Sequence, residues 1–358
     1  MTDEDVLPYL RERLPDFTAA REPTRLPEGN LNVVWRVPGR NRSVIVKYAP
    51  PYIAADPDTP LDPSRLLIEA RCLEALGPGG RLAGATGAAV RTPRVVDVSD
   101  EAHVLVMEDL GDLPTLNRWL RMHDSEWVQD VAPTLGNRLG TFLGTLHAAT
   151  CDDETYAAAF VNRSMQETRQ AVQYQGVAGM LEAGGVTDAD ELGARAEALG
   201  AALLEPGRCL TMGDLWPPSV LVDDQRLRLI DWELAHYGRP LQDVGHFRAH
   251  LWMQQHRAPS RAVADAVNEL RRSFTSAYRE ALGDTEEALW TEQERRDAAI
   301  HLGAEILVRA VGPFQAGYVY EGLAPDHPSV REAVTTAARC LRAPDPVDVL
   351  ASEESSLP

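Results

Sequence analysis

The apolar residues change their spacing once along the chain. Up to about Leu110 they fall mainly in short β-like runs, and beyond it mainly in long stretches of helical period. Residues 2–14 read as an opening helix, with Thr2 placed to cap it and acidic residues in the first turn. Residues 32–37 (NVVWRV) and 43–48 (SVIVKY) are rich in β-branched and aromatic side chains. They flank Pro38-Gly39-Arg40-Asn41-Arg42, a turn-forming cluster, and so predict two paired strands. Residues 63–76 have helical periodicity and stop at Gly77-Pro78-Gly79-Gly80. Residues 94–98 and 103–107 read as a second strand pair across Ser99-Asp100-Glu101.

Beyond Leu110 the pattern predicts helices over 127–150, 165–205, 260–282, 287–312 and 328–342. One segment interrupts them. Within 209–233, two short apolar runs (220–222 and 227–230) surround Asp223-Asp224-Gln225, a hairpin signal. The chain carries no internal repeat or low-complexity tract, and the tail ASEESSLP is expected to be disordered. Gly77–Gly87 lacks the strand–GxxxxGK[ST]–helix context of a P-loop and reads as a connection.

Composition narrows the partners. With 358 residues, 44% of them hydrophobic, the chain can form one large bilobal unit or two modest domains. Lys and Arg number 35 against 54 Asp and Glu, a formal charge of −19, which argues against nucleic acid or an anionic membrane as a bulk partner. A local phosphate site is still compatible with it. The four cysteines are far apart with no CxxC, so neither a disulfide scaffold nor a zinc ribbon is indicated. The acidic N-terminus is unlike a signal peptide. The longest stretch free of Asp, Glu, Lys and Arg is 13 residues, Leu139 to Cys151, short of the roughly 20 a membrane span needs. A soluble, cytoplasmic protein is the expectation.

The chemistry concentrates in Thr211-Met212-Gly213-Asp214-Leu215-Trp216-Pro217-Pro218-Ser219 and, 17 residues beyond Asp214, Asp231-Trp232-Glu233. The predicted hairpin would fold both acidic sites onto one end of the element. Phosphoryl transfer needs that arrangement, with one carboxylate for the attacking hydroxyl and others for Mg²⁺ on nucleotide phosphates. Asp231, Glu233 and the Ser219 hydroxyl offer oxygen ligands for such a hard cation.

These residues resemble the catalytic segment of the aminoglycoside-phosphotransferase/choline-kinase superfamily, HGDxxxxN followed by an apolar strand pair and a metal-binding Asp. Within that superfamily the chain is most similar to the methylthioribose kinases. Glu28-Gly29-Asn30-Leu31-Asn32 with the strand 33–37, the run Ser43-Val44-Ile45-Val46-Lys47, and the helix 65–76 carry the likeness, which extends from about Pro27 to Ala316. The resemblance implies a protein-kinase-like bilobal α+β fold. A small antiparallel-sheet N-terminal lobe (1–109) would bind nucleotide, a larger, mostly helical C-terminal lobe (110–350) would hold the catalytic and substrate sites, and 351–358 would be tail. It further implies ATP and Mg²⁺ as cofactors, with Asp214 as catalytic base and Asp231, Glu233 and Ser219 at the metal. Lys47, paired with Glu69, would contact the α/β-phosphates. The loop of Gly29, Asn30 and Asn32 would cover the phosphates, and Met107, Glu108 and Leu110 would form the adenine-reading hinge. Trp216 and Arg309 would line the acceptor pocket. A homodimer is compatible with the resemblance, although the sequence marks no interface.

Three departures bear on the substrate. Met212 stands where the family has His, Val308-Arg309 where methylthioribose kinases carry two arginines, and Trp216-Pro217-Pro218 beside the base in place of HTG. The expected activity is phosphorylation of a hydroxyl on a small sugar-like metabolite. An aminoglycoside or amino-alcohol kinase is the alternative, and a nucleotide-binding pseudokinase is the alternative of another class. His246 and His250 sit at i, i+4 with no obvious third ligand, so packing histidines are expected there rather than zinc ligands. Asp243 is expected to brace the catalytic loop.

Overall fold

A computed structural model describes residues 1–27, 31–122 and 125–344. The fold is α+β and bilobal. Five strands form an antiparallel sheet in the order Thr24–Arg25, Val33–Val37, Val44–Tyr48, Val104–Glu108, Val95–Ser99. The central strand Val44–Tyr48 shows how the sequence positions the site. Side chains alternate across a strand, so Val44 and Val46 go to one face and Ile45 and Lys47 to the other. Val44 and Val46 pack with Val6, Leu10, Phe17, Trp35, Val37, Val104 and Val106, in a core lidded by the N-terminal helix Val6–Arg13. Ile45 joins the larger core with Leu66, Leu73 and Leu105, on the face where the helix Arg65–Leu76 lies. Lys47 therefore projects from a packed, rigid strand toward that helix.

The opening segment is shorter than expected as an α-helix. Asp3–Asp5 form a 3₁₀ turn capped by Thr2, whose N–H and hydroxyl donate to Asp5 Oδ2 at 2.7 and 2.8 Å, before the helix begins at Val6. The predicted 165–205 helix is broken into Arg163–Arg169, a π-helical turn Gln170–Tyr174, Val177–Ala183 and Ala189–Ala202. Gly176 and the Gly184-Gly185 pair supply breaks at the Val177–Ala183 helix.

The long helices Ser125–Ala149 and Arg261–Leu282 pack backbone to backbone. Gly136, Gly140 and Gly144 recur every fourth residue along one face of the first helix. A Cβ at these positions would lie 2.2, 2.2 and 2.5 Å from the carbonyl oxygens of Leu270, Phe274 and Tyr278. The predicted hairpin forms between Val220–Asp223 and Arg226–Leu229, and Val90–Arg91 adds to it in parallel. Cys209–Thr211 pairs with His236–Gly238. No helix among the described residues is long and apolar enough to cross a membrane. The tail 351–358 lies outside the described residues.

Candidate active site

The hairpin brings its two acidic segments to one end, as expected. The Ile230 N–H donates to the Ser219 carbonyl at 3.0 Å, which ties the segment before Asp231 to the loop that carries Asp214. Asp231 is one of four non-glycine residues at positive φ (65°) among those described, a backbone cost that persists where surrounding structure enforces it.

On the sheet side of this end, Lys47 Nζ lies 2.7 Å from Glu69 Oε2, 3.0 Å from Asp231 Oδ1 and 3.6 Å from Glu233 Oε1. Burial works against the ammonium, but Glu233, Glu69 and Asp231 together raise Lys47 well above its ordinary value, so it stays charged. Burial pushes Glu69 up to about 7, with Glu233 and Asp231 adding to the rise and Lys47 opposing it. Asp231 keeps its side chain 46% exposed, leaving carboxylate oxygen open to solvent; this donor fits a hard cation.

Glu233 is held differently from expectation. Asn32 Nδ2 donates to both of its oxygens, and the fully buried Arg65 donates through Nε at 3.1 Å. Arg65 also bonds the carbonyls of Leu31, Pro50 and Asp62 and the Asn32 side-chain oxygen, locking the end of the predicted phosphate-covering loop to the helix. Asn32 is thus a buried structural partner of Glu233. Gly29 and Asn30 lie outside the described residues.

Ser219 is fully buried, and its hydroxyl is used within its own loop. It donates to the Trp216 and Asp214 carbonyls at 2.9 and 3.3 Å and accepts from the Trp216 N–H. Of the predicted hinge, Met107 is buried in the sheet. Glu108 is committed to neighbours: its N–H bonds Arg94 O and its carboxylate bonds Arg91 and Arg94. Leu110 follows the strand Val104–Glu108, beside the Arg36–Asp109 ion pair at 3.0 Å.

On the helical side, Met212 is buried and the loop is braced through its backbone. The N–H groups of Met212 and Gly213 each donate to the buried Asp243 carboxylate at 2.8 Å. His147 Nε2 lies 3.1 Å from the same carboxylate, and its Nδ1 lies 3.0 Å from the Tyr278 hydroxyl. These bonds run through the backbone, so they form with Met212 in place of the family histidine.

Asp214 Oδ1 accepts from Arg169 Nη2 at 2.7 Å and lies 3.2 Å from His246 Nε2. Burial would raise this carboxyl, but His246, Arg169 and Arg309 outweigh it and hold Asp214 well below the usual carboxylate range. Beside it, the Arg309 guanidinium carbon lies 4.4 Å from the Trp216 ring centroid, 5.3 Å from Phe314 and 5.5 Å from Tyr318. Arg309 Nε donates to Glu305 at 2.8 Å.

Glu305 supplies the third residue that the sequence left unidentified beside His246 and His250. All three are buried, with candidate ligand atoms within 4.8 Å of one another. Two guanidinium groups, Arg169 and Arg309, already balance the Asp214 and Glu305 carboxylates there. The electrostatics therefore favour a hydrogen-bonded cluster over a divalent cation. Arg65, Arg169, His147 and Glu305 escaped sequence reading. Arg65 alone left a signal, standing one helical turn from Glu69 on a stripe that is otherwise apolar.

Comparison with known proteins fits this geometry. Residues 22–288 match the model described as "Phosphotransferase enzyme family". A 4-hydroxytryptamine kinase of Psilocybe cyanescens is 27% identical over 261 residues, 69% of this chain and 72% of that protein. A methylthioribose kinase of Exiguobacterium sibiricum is 25% identical over 319 residues, 80% and 78% of the two chains. Among solved structures, choline kinase LicA from Streptococcus pneumoniae superposes with a TM-score of 0.51 at 15% identity, covering 95% of this chain and 98% of that one. The gentamicin–APH(2")-IIa complex superposes with a TM-score of 0.50 at 17% identity, covering 96% of each. At these identities the structural likeness speaks to the fold.

Proposed function

The chain belongs to the phosphotransferase enzyme family and is a small-molecule kinase acting on a hydroxyl acceptor. From that premise we propose that it transfers the γ-phosphoryl group of ATP to a hydroxyl of a small sugar-like molecule bound beside the stacked Trp216–Arg309 pair. The observation that carries this reading is the single hairpin end where the Lys47–Glu69–Asp231 cluster meets the loop of Asp214. Residues 1–109 would serve as the nucleotide lobe and 110–350 as the lobe that binds the acceptor.

Lys47 would meet the α/β-phosphates, with Glu69 holding its ammonium in place. Asp231 would hold Mg²⁺, with Glu233 and Ser219 behind it, and the bound ion would neutralise charge on the phosphates. Asp214, kept ionised, accepts the acceptor's hydroxyl proton and orients its oxygen for attack. The oxygen–phosphorus bond forms as the bond to the ADP oxygen breaks. A carboxylate held below the usual range orients the hydroxyl well and retains the proton poorly, so its larger contribution is orientation.

The three rings around Arg309 favour a second reading, a hydroxylated aromatic amine. These rings already hold one cation, and the buried Glu305 carboxylate stands beside them. ATP consumption tests both against methylthioribose, 4-hydroxytryptamine, gentamicin and choline. Turnover of methylthioribose supports the sugar-like reading, and turnover of 4-hydroxytryptamine alone supports the second. Absence of turnover with every acceptor, together with retained nucleotide binding, favours a pseudokinase.

A further inference from the structure

The helical side of the site contains a chain of buried hydrogen-bonding groups that the reaction as described does not use. Arg169 precedes a π-helical turn, Gln170–Tyr174, whose wider winding directs both Arg169 and Tyr174 toward the histidines of the neighbouring helices. Arg169 Nη2 donates to Asp214, and Nη1 lies 3.3 Å from His246 Nδ1. A guanidinium has donors only. His246 Nδ1 must therefore present its lone pair to Arg169, and the ring proton must sit on Nε2.

A second contact requires the same tautomer. The Tyr174 hydroxyl lies 2.5 Å from His301 Nδ1, and burial raises Tyr174 so that it stays protonated. With Tyr174 donating to Nδ1, His301 carries its proton on Nε2, 3.3 Å from His246 Nδ1. Both Arg169 and His301 thus offer protons to the same lone pair. The opposite edge of His246, Nε2, is buried 3.2 Å from Asp214 Oδ1 without an aligned hydrogen-bond partner. The remaining charged or titratable faces of His246 are His250, at 4.8 Å between ring centroids, and Glu305, at 3.7 Å.

We propose that Arg169 and His246 are positioning residues for Asp214: Arg169, together with His301, fixes His246 as the Nε2–H tautomer, and Arg169 and His246 orient the Asp214 carboxylate toward the incoming hydroxyl. The assignment rests on Asp214 being the residue that receives that hydroxyl. It gives the buried His246 Nε2, 3.2 Å from Asp214 Oδ1, a use as a donor aimed at that carboxylate.

The tautomer is read directly, without any acceptor, by ¹H–¹⁵N correlation on protein labelled with ring-¹⁵N histidine, with His246→Gln to assign the signal. The expected result is a ring that carries its proton on Nε2, kept in Arg169→Met, where His301 still donates to Nδ1, and changing to a mixture or to Nδ1–H in Arg169→Met/Tyr174→Phe, which frees His301 as well. A ring protonated at Nδ1 in the unmodified protein overturns the proposal. Turnover is then measured with MgATP and water as acceptor. His246→Leu should lower kcat about 10²-fold while the KM for ATP stays within about twofold, the cost of a misplaced reacting group. His246→Gln, whose amide restores a donor near the Nε2 position, should recover most of the loss at an equal melting temperature. Equal turnover in the Leu and Gln variants overturns the proposal. Asp214→Asn separates the two readings. If it retains full turnover, the role of Asp214 fails; if it is inactive while His246→Leu is normal, only the positioning role fails.

Discussion

Asn32 Nδ2 sits 2.8 and 2.7 Å from the two carboxylate oxygens of Glu233, joining positions 201 residues apart in the chain. The bond closes the sheet lobe onto the metal-motif end of the hairpin, and Arg65 completes it from the helix behind. On the proposed reading, with nucleotide and acceptor held by different lobes, this bond is a fixed joint between them.

Removing Arg65 should show its weight. Arg65→Met leaves the Glu233 carboxylate buried with one donor fewer and three backbone carbonyls without their partner. Breaking a buried pair in this way costs about 3–5 kcal/mol. Denaturant unfolding is expected to register that loss. Arg65→Lys should recover little of it, because an ammonium cannot span the same set of acceptors.

Asp231 and Asp214 should separate binding from turnover. Asp231→Ala removes the exposed carboxylate beside Lys47 and is expected to abolish Mg²⁺-dependent nucleotide binding by calorimetry. Asp214→Ala is expected to leave that binding intact and to lower turnover by about 10²–10⁴-fold. Near-normal turnover in Asp214→Ala would remove it from the mechanism.

The Lys47–Glu69 pair should impose a pH dependence with two opposite signs. Glu69 has an ordinary value of 4.5 and is raised to about 7 in the fold, chiefly by burial. The native state therefore holds this proton more tightly than the unfolded chain. Its contribution to stability is complete below pH 4.5 and is lost as the pH rises through about 7. Nucleotide affinity should move the other way, rising from about pH 6 to about pH 8 as the ionised Glu69 positions Lys47. In Glu69→Gln both slopes should flatten; an unchanged affinity profile would mean that another group sets it.

How much of this could be read from the chain depended on the range of the interaction. Alternation in Ser43–Tyr48 puts Lys47 on the inner face of its strand, and the next helix offers Glu69, so that pair was legible. Asp214 and Asp231 were legible because a short hairpin returns the chain on itself. Arg169, His147 and Glu305 were not, because an isolated Arg, His or Glu in a helical pattern reads as a surface or packing residue. Their partners enter only through helix packing, Arg169 reaching Asp214 across 45 positions and His147 reaching Asp243 across 96. The split of 165–205 is hidden in the sequence for a related reason: a π-turn keeps helical periodicity locally while changing which side chains face inward.

Two glycine-to-alanine substitutions should act with opposite signs and reveal what braces the catalytic loop. Gly179 lies exposed in Val177–Ala183 with nothing within 4 Å of where a Cβ would sit, so Gly179→Ala should stabilise by about 0.5–1 kcal/mol through helix propensity. Gly140→Ala has the same propensity gain, but its Cβ would lie 2.2 Å from the Phe274 carbonyl oxygen, a backbone atom that cannot swing away. Forcing the two long helices apart should cost about 1–3 kcal/mol or more, enough to reverse the sign. The same displacement would stretch the contact between His147 and Tyr278, one residue from each helix, and with it the contact from His147 to Asp243. Because Asp243 holds the Met212 and Gly213 amides, Gly140→Ala is expected to lower kcat as well as the melting temperature, while Gly179→Ala leaves kcat unchanged. Loss of stability in Gly140→Ala with a normal kcat would show that the loop keeps its shape without the helix pair behind it.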